Sequence, residues 1–278
     1  MTRGKLSIIL GLLLACFFHP QPAASAESQG LSASEKLELF NEANSFFSRA
    51  NELGRTEPAE AEDFYQKALL RYERLAKAGI RNGKLYYNIG NVYFRLDDIG
   101  RAILNYRRAE RFIPNDPNLK QNLDYVLSRR QDRIEEKQEE KVLKTLFFWH
   151  YDIPAYARAV VFGVAYVLFW SFLTVRFFAS RPWTRWGTAI CLLLFLLFLG
   201  SLLIDQYTRS TNRSGVIVAS EVTARKGDGE TYQPSFENPL HAGTDFKLVE
   251  ERGKWLYIEL QDGRRAWVPL KSTEFVEQ

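Results

Sequence analysis

Residues that usually carry chemistry are scarce in this 278-residue chain, which has two cysteines, three histidines and one methionine. Cys16 and Cys191 both sit in apolar runs, so neither soluble arm can hold a disulfide or a thiolate metal site. His19, His150 and His241 are scattered. No glycine-rich phosphate loop, cysteine–histidine arrangement or metal-ligand spacing accompanies them. Glu250 and Glu251 precede a turn and read as solvated charge. The chain is therefore expected to be no enzyme and to need no cofactor. An excess of one charge is also missing. Removing Arg3 and Lys5, which lie in a segment expected to be cleaved, leaves 35 basic against 33 acidic residues. That balance excludes a nucleic-acid surface.

Long apolar runs, by contrast, are present. Ala159 to Val175 contains nothing more polar than Ser171 and Thr174, and Trp186 to Ile204 carries no charge. Extended by their flanks to about 156–178 and about 185–204, both reach the roughly 20 residues that a helix needs to cross a bilayer. They predict a transmembrane helical hairpin over 154–205. Its turn lies around Ala179-Ser-Arg-Pro-Trp183, where Pro182 stops the first helix or opens the second. Arg176, Arg181 and Arg185 surround the turn without an acidic residue, which assigns it to the cytoplasm and both soluble arms to the exported side. The basic residues of 128–144 run against this bias and are outweighed by the export signal. Trp149, Tyr151, Tyr156, Trp183, Trp186 and Tyr207 fall near the ends of the spans, where amphipathic rings favour the headgroup layer.

Residues 1–26 read as a cleaved export signal: Arg3 and Lys5, the apolar Leu6 to Phe18, then the small-residue site Ala24-Ser-Ala26. A second reading takes Leu13-Leu-Ala-Cys16 as a lipoprotein signal with an acylated cysteine. The expected location is a bacterial inner membrane, with both soluble domains in the periplasm and a short cytoplasmic turn.

Between residues 83 and 116, Tyr86, Ile89, Gly90, Tyr93, Ala102, Tyr106, Ala109 and Pro114 occupy the eight signature places of a 34-residue helix-turn-helix repeat of the tetratricopeptide type. Asn41-Glu-Ala-Asn-Ser-Phe-Phe47 matches Asn88-Ile-Gly-Asn-Val-Tyr-Phe94 at a separation of 47, whereas Ala68 and Tyr72 match Ala102 and Tyr106 at 34. The extra 13 residues predict an enlarged loop around Leu53 to Glu60. Asp116-Pro117 opens a third helix through Leu119, Leu123, Val126 and Leu127 that caps the stack. These elements make 31–130 an all-α repeat domain. Asn41, Asn44, Asn88 and Asn91 recur at the same repeat places, with Arg95 one turn beyond. Two readings stand: they line a groove for a protein partner, or the asparagines bond to neighbouring helices.

The segment 131–153 is expected to be a charged helical linker followed by an interfacial stretch. Arg133/Glu136, Lys137/Glu140 and Glu140/Lys144 are spaced for pairing on a helix, and Leu146-Phe-Phe-Trp149 suits the membrane surface. A flexible linker is the alternative.

After Gly215 the periodicity becomes two. Leu256, Ile258 and Leu260 share one face, Trp255 and Tyr257 the other, and Asp262-Gly263 marks a hairpin. Strands over Val216 to Lys226 and Thr244 to Glu250 complete a small all-β barrel over 214–278. Glu221-Val-Thr-Ala-Arg225, Pro239-Leu-His-Ala-Gly243-Thr, Glu251-Arg-Gly-Lys-Trp255 and Gly263-Arg-Arg-Ala-Trp-Val268 resemble the bacterial SH3 family. That resemblance implies peptide binding through exposed aromatics, here Tyr232, Phe236 and Tyr257. Trp255 and Trp267 either join them or pack across the barrel. Lys226-Gly227-Asp-Gly229 follows the family's first-strand pattern only loosely.

An export signal, tetratricopeptide repeats, a membrane hairpin and an SH3-like tail, in this order, resemble the BatE proteins of bacterial aerotolerance operons. The resemblance implies a scaffold in envelope stress, with von Willebrand A-domain membrane proteins and a MoxR-type ATPase as partners. It brings no catalytic residue. Two functions follow as expectations: a membrane-anchored adaptor gripping protein partners through its repeats, or a peptidoglycan-binding protein acting through its tail.

Overall fold

The structure, a computed structural model, describes residues 31–134, 137–178, 181–211 and 213–277. The expected export signal with Cys16, the Arg133/Glu136 pair and Ala179-Ser180 of the expected turn lie outside the described residues. So does the side chain of Glu140, with its expected pairing to Lys137 and Lys144.

Five helices form the N-terminal body: α1 (Ala33–Leu53), α2 (Pro58–Lys77), α3 (Gly83–Arg95), α4 (Ile99–Glu110) and α5 (Pro117–Arg129). Their starts are written locally. Ser32 and Glu35 form a reciprocal capping box on α1, and the Asn82, Asp98 and Asp116 side chains accept backbone N–H groups at α3, α4 and α5. Consecutive helices pack in sequence, around Ala43, Ala68, Tyr72, Leu85, Ile89, Ala102, Leu104, Tyr106, Leu119 and Leu123. Gly90 of α3 makes room for Tyr106 of α4; a Cβ there would meet the Tyr106 ring at 2.7 Å.

The enlarged loop expected around Leu53 to Glu60 is not formed. Only Gly54 to Glu57 separate α1 from α2. Relative to α3 and α4, α1 continues five residues further and α2 begins seven earlier, so the insertion is nearly all helix. The reason is apolar. Ala50, Leu53 and Ala61 are buried along the extension, Phe47 packs on Tyr65, and the Tyr65 hydroxyl donates to Asn51.

The C-terminal domain is an antiparallel sheet in the order β6-β5-β4-β1-β7: β1 Ser214–Ile217, β4 Asp245–Arg252, β5 Trp255–Leu260, β6 Arg265–Pro269, β7 Thr273–Phe275. A small second ladder joins β2 (Glu221–Val222) to β3 (Leu240–His241). Alternation points Leu256, Ile258, Leu260, Ala266 and Val268 into a separate core with Ile217, Val222, Leu240 and Phe246.

The two soluble domains pack together. Val216 and Val276 of the sheet join the helical core, and Gly100 of α4 lies so close to β1 that a Cβ would stand 3.1 Å from the Ile217 carbonyl. Around this contact α4 meets an acidic rim. Arg107 grips Asp245 with two bonds of 3.1 Å, Arg101 donates to Glu274 at 3.0 Å, and Arg108 donates to the Phe275 carbonyl at 2.8 Å. Asp245 also accepts Arg130 at 3.5 Å and Gln261 at 3.3 Å.

The linker departs from expectation for the same reason. The helix ends at Arg129 and residues 130–134, without regular structure, form a strap against the sheet. Asp132 accepts the His241 backbone N–H at 2.7 Å, the His241 ring at 2.8 Å and the Thr244 hydroxyl at 2.6 Å. Ile134 packs on the second core, and Lys137 reaches Glu259 at 3.1 Å. A continuous helix, rising about 1.5 Å per residue, would carry these side chains away from their partners. Helix resumes only at α6 (Gln138–Leu146) and the short α7 (Phe148–Tyr151).

α8 (Ala155–Phe178) and α9 (Pro182–Thr211) are long and apolar enough to cross a membrane. Pro182 opens the second. They pack as a hairpin whose start and end meet, because Arg158 of α8 bonds Ser201 and Asp205 of α9. The chain therefore enters and leaves the hairpin at one end, which is what lets the sheet reach α4.

Replacing Asp245 by alanine leaves Arg130 and two of the three Arg107 bonds without their carboxylate, at an expected cost of about 2 kcal/mol. Hydrogen exchange should then speed up in β1 and β7, with β5 unchanged. The strap is acid-sensitive. Burial works to raise the Asp132 carboxyl, but bonds from Thr244 and His241 outweigh it and hold it below its ordinary value. A lowered folded value means that this stabilisation is present above the ordinary pKa of about 4 and is lost as pH falls through the folded value. Spin labels at the exposed Arg133 and Lys271 should report a constant distance at pH 5 to 7 and a longer one only below about pH 4.

Candidate partner groove

Helical spacing places Phe47 and Asn51 of α1, Asn91 and Arg95 of α3, and Asn122 and Val126 of α5 in pairs one turn apart. The three helices converge so that these pairs line a cavity of about 270 Å³, with Phe94 and Tyr125 as further walls and Tyr106 of α4 as its floor. Phe94 and Tyr125 meet edge to face at 5.6 Å. The sheet approaches α4 through Arg101, Arg107 and Arg108, so it leaves this groove uncovered.

A repeated polar contact shapes the wall. The phenols of Tyr65, Tyr72 and Tyr106 donate to the side-chain oxygens of Asn51, Asn44 and Asn91 at 2.8, 2.6 and 2.8 Å. Burial pushes Tyr72 up to about 12 and raises Tyr65 and Tyr106 as well, so all three stay protonated and act as donors. Asn122 donates to the Tyr87 hydroxyl at 2.9 Å and to the Asn91 oxygen at 3.0 Å.

Of the five residues that the repeat pattern singles out, the structure brings Asn91 and Arg95 together in the groove. Asn44 and Asn88 instead join α1 to α3: the Asn88 amide lies 3.5 Å from the Asn44 oxygen and 3.4 Å from the Tyr72 hydroxyl. Asn41 is exposed on α1 outside the cavity. Sequence reasoning missed Asn51 and Asn122. A signal existed for both, since Asn122 stands one 34-residue period after Asn88 and Asn51 two helical turns after Asn44.

On the sheet, Tyr257 stacks on Trp267 at 5.1 Å and Arg252 covers the same indole at 4.8 Å. Arg252 also bonds Asp228, next to the Gly227 on which the half-exposed Tyr232 packs. Tyr257 and Arg252 thus cover Trp267, which is only 8% exposed, while Tyr232 stays open to solvent. Phe236 is apart from these side chains, partly buried against the second core with Arg264 over its ring. Trp255 and Trp267 lie on the outer face, opposite Leu256, Ile258 and Val268, and neither packs across the sheet's core.

A third cluster closes the hairpin. His150, Ser201 and Asp205 lie together, a set that elsewhere serves nucleophilic catalysis, but Arg158 sits among them. It pairs with Asp205, and it contacts the Ser201 oxygen at 2.5 Å and His150 Nδ1 at 2.9 Å. The nitrogen that would take the serine proton is thus already accepting from a guanidinium, and Ser201 is buried. The arrangement is a lock between the two long apolar helices. Among the described residues, no group of three or more His, Cys, Asp or Glu side chains is placed to hold a metal ion.

Replacing Tyr106 by phenylalanine removes one buried bond, worth about 1 kcal/mol, and keeps the packing against Gly90. Amide exchange in α3 and α4 should quicken about fivefold while the sheet is unaffected. No family model matches the chain, and no curated protein is similar enough to count as a match.

Proposed function

We propose that the protein is a membrane-anchored adaptor without catalytic activity, whose helical groove holds a segment of a partner protein on the exported side. The single observation that carries this reading is the open cavity between α1, α3 and α5, lined by aromatic rings and amides, while the sheet occupies the other side of α4. The eight signature places over 83–116 and the stacked helix pairs support assigning this body to the tetratricopeptide type. The short antiparallel strands after Gly215 support an SH3-like tail. In this reading Arg176, Arg181 and Arg185 hold the turn in the cytoplasm, and the partners are those that the resemblance to BatE-type aerotolerance proteins implies: von Willebrand A-domain membrane proteins and a MoxR-type ATPase.

A second reading, binding of wall peptides through the tail, rests on the exposed Tyr232 and on Tyr257 and Arg252, which lie over the buried Trp267.

Gentle purification of the full-length protein from its own membranes, followed by mass spectrometry, separates the two. The adaptor reading expects companion proteins in fixed proportion, lost in Tyr125→Ala and kept in Asn44→Ala, because only Tyr125 lines the cavity. Companions that survive Tyr125→Ala would remove the groove from the mechanism. Recovery of wall fragments alone, lost in Tyr232→Ala, would establish the tail as the binding element.

A further inference from the structure

The bonding inside the groove fixes which polar atoms remain for a ligand. A buried phenol must donate its proton, and for Tyr65, Tyr72 and Tyr106 the acceptor is an asparagine oxygen. The amide nitrogens of Asn51 and Asn91, two residues that line the cavity, are therefore left with no partner among the described residues. Asn122 has the reverse orientation, its nitrogen spent on Tyr87 and Asn91, so its oxygen is the acceptor that remains. The cavity lining contains Arg95 and no carboxylate, and among the described residues Arg95 has no ion-pair partner. Arg71 is held by Glu42 and Arg101 by Asp98 and Glu274, whereas Arg95, like Arg74 on α2, keeps its charge without an ion-paired carboxylate among the described residues and, unlike Arg74, lines this cavity. The groove thus offers hydrogen-bond donors and one positive charge around an aromatic hollow, walled by Phe47, Phe94 and Tyr125.

We propose that the groove recognises an extended acidic peptide segment, its carboxylates meeting Arg95 and the amide nitrogens of Asn51 and Asn91 while a neighbouring bulky apolar side chain fills the hollow. This deepens the adaptor reading and rests on it, since it names the chemistry of the segment that the groove holds. Asn122 supplies the acceptor that a peptide N–H needs, which an isolated anion would leave unused. An acidic segment also gains from Arg95 without displacing an existing ion pair, so no buried partner is stranded when it binds.

The test uses the full-length protein in lipid nanodiscs and three fluorescein-labelled octapeptides. The peptides share two leucines and a phenylalanine and differ only in carrying Glu, Gln or Lys at the other positions. Fluorescence anisotropy should show the Glu peptide binding about tenfold tighter than the Gln peptide, as expected for a bond to a charged group. The Lys peptide should not bind. The gap should narrow as salt is raised and close in Arg95→Gln, and Arg95→Glu should reverse the order. Arg95 is exposed, so these variants leave the helical core intact. Equal binding of the Glu and Gln peptides, a preference for Lys, or binding of none would overturn the acidic-segment proposal. None of these results would touch the adaptor reading, which stands or falls on companions lost in Tyr125→Ala.

Discussion

Asp245 is the carboxylate on which the soluble architecture turns. It sits at the start of β4, little exposed, and takes bonds from Arg107 of α4, Arg130 of the strap and Gln261 of the following hairpin. Three segments from opposite sides of the hairpin in sequence thus share one anion. A partly buried ion pair of this kind contributes modest net stability against its alternatives, but removing one member strands the others, so it specifies the docked geometry more than it strengthens it. The apolar part of the same contact, Val216 and Val276 against the helical core, supplies the non-directional attraction.

That docking is possible only because the two long apolar helices return the chain to its starting end. Inside a bilayer every backbone polar group has to be satisfied within the segment, which favours helices and leaves little freedom in how they turn. The Arg158 and Asp205 pair, with Ser201 and His150, then ties the start of α8 to the last turns of α9. From there the strap of residues 130–134 and the sheet meet on the same side, and the helical body is held from α4 outward. The groove between α1, α3 and α5 stays uncovered as a consequence of which face of α4 the sheet uses.

Inside the groove, the legible and the illegible lie side by side. Gly90, Ala102 and Tyr106 carry their meaning in the chain itself, because a repeat with fixed large and small places has one way to bring two helices close. The asparagines do not. Asn44, Asn88 and Asn91 look alike in sequence, yet the first two join α1 to α3 and only the third faces the cavity with Arg95. The difference comes from neighbouring helices, since which tyrosine reaches which amide is settled by packing across residues 14 to 28 positions apart. The extra residues of the first repeat teach the same point. Gly54 and Pro58 read as loop signals, but buried Ala50, Leu53 and Ala61 made the insertion helical.

The chain alone determined the local and the periodic: the helix caps at Asp98 and Asp116, the repeat register over 83–116, the apolar lengths that become α8 and α9, and the alternation that turns Leu256, Ile258 and Leu260 inward. Those features depend on neighbours a few residues away. Only the tertiary structure decided that the strap is not helical, that the sheet docks on α4, and that Arg158 meets Asp205. Each of these joins charges or donors far apart in sequence, whose pairing energy exists only once desolvated side chains are brought within a few ångströms, and no local pattern records that distance.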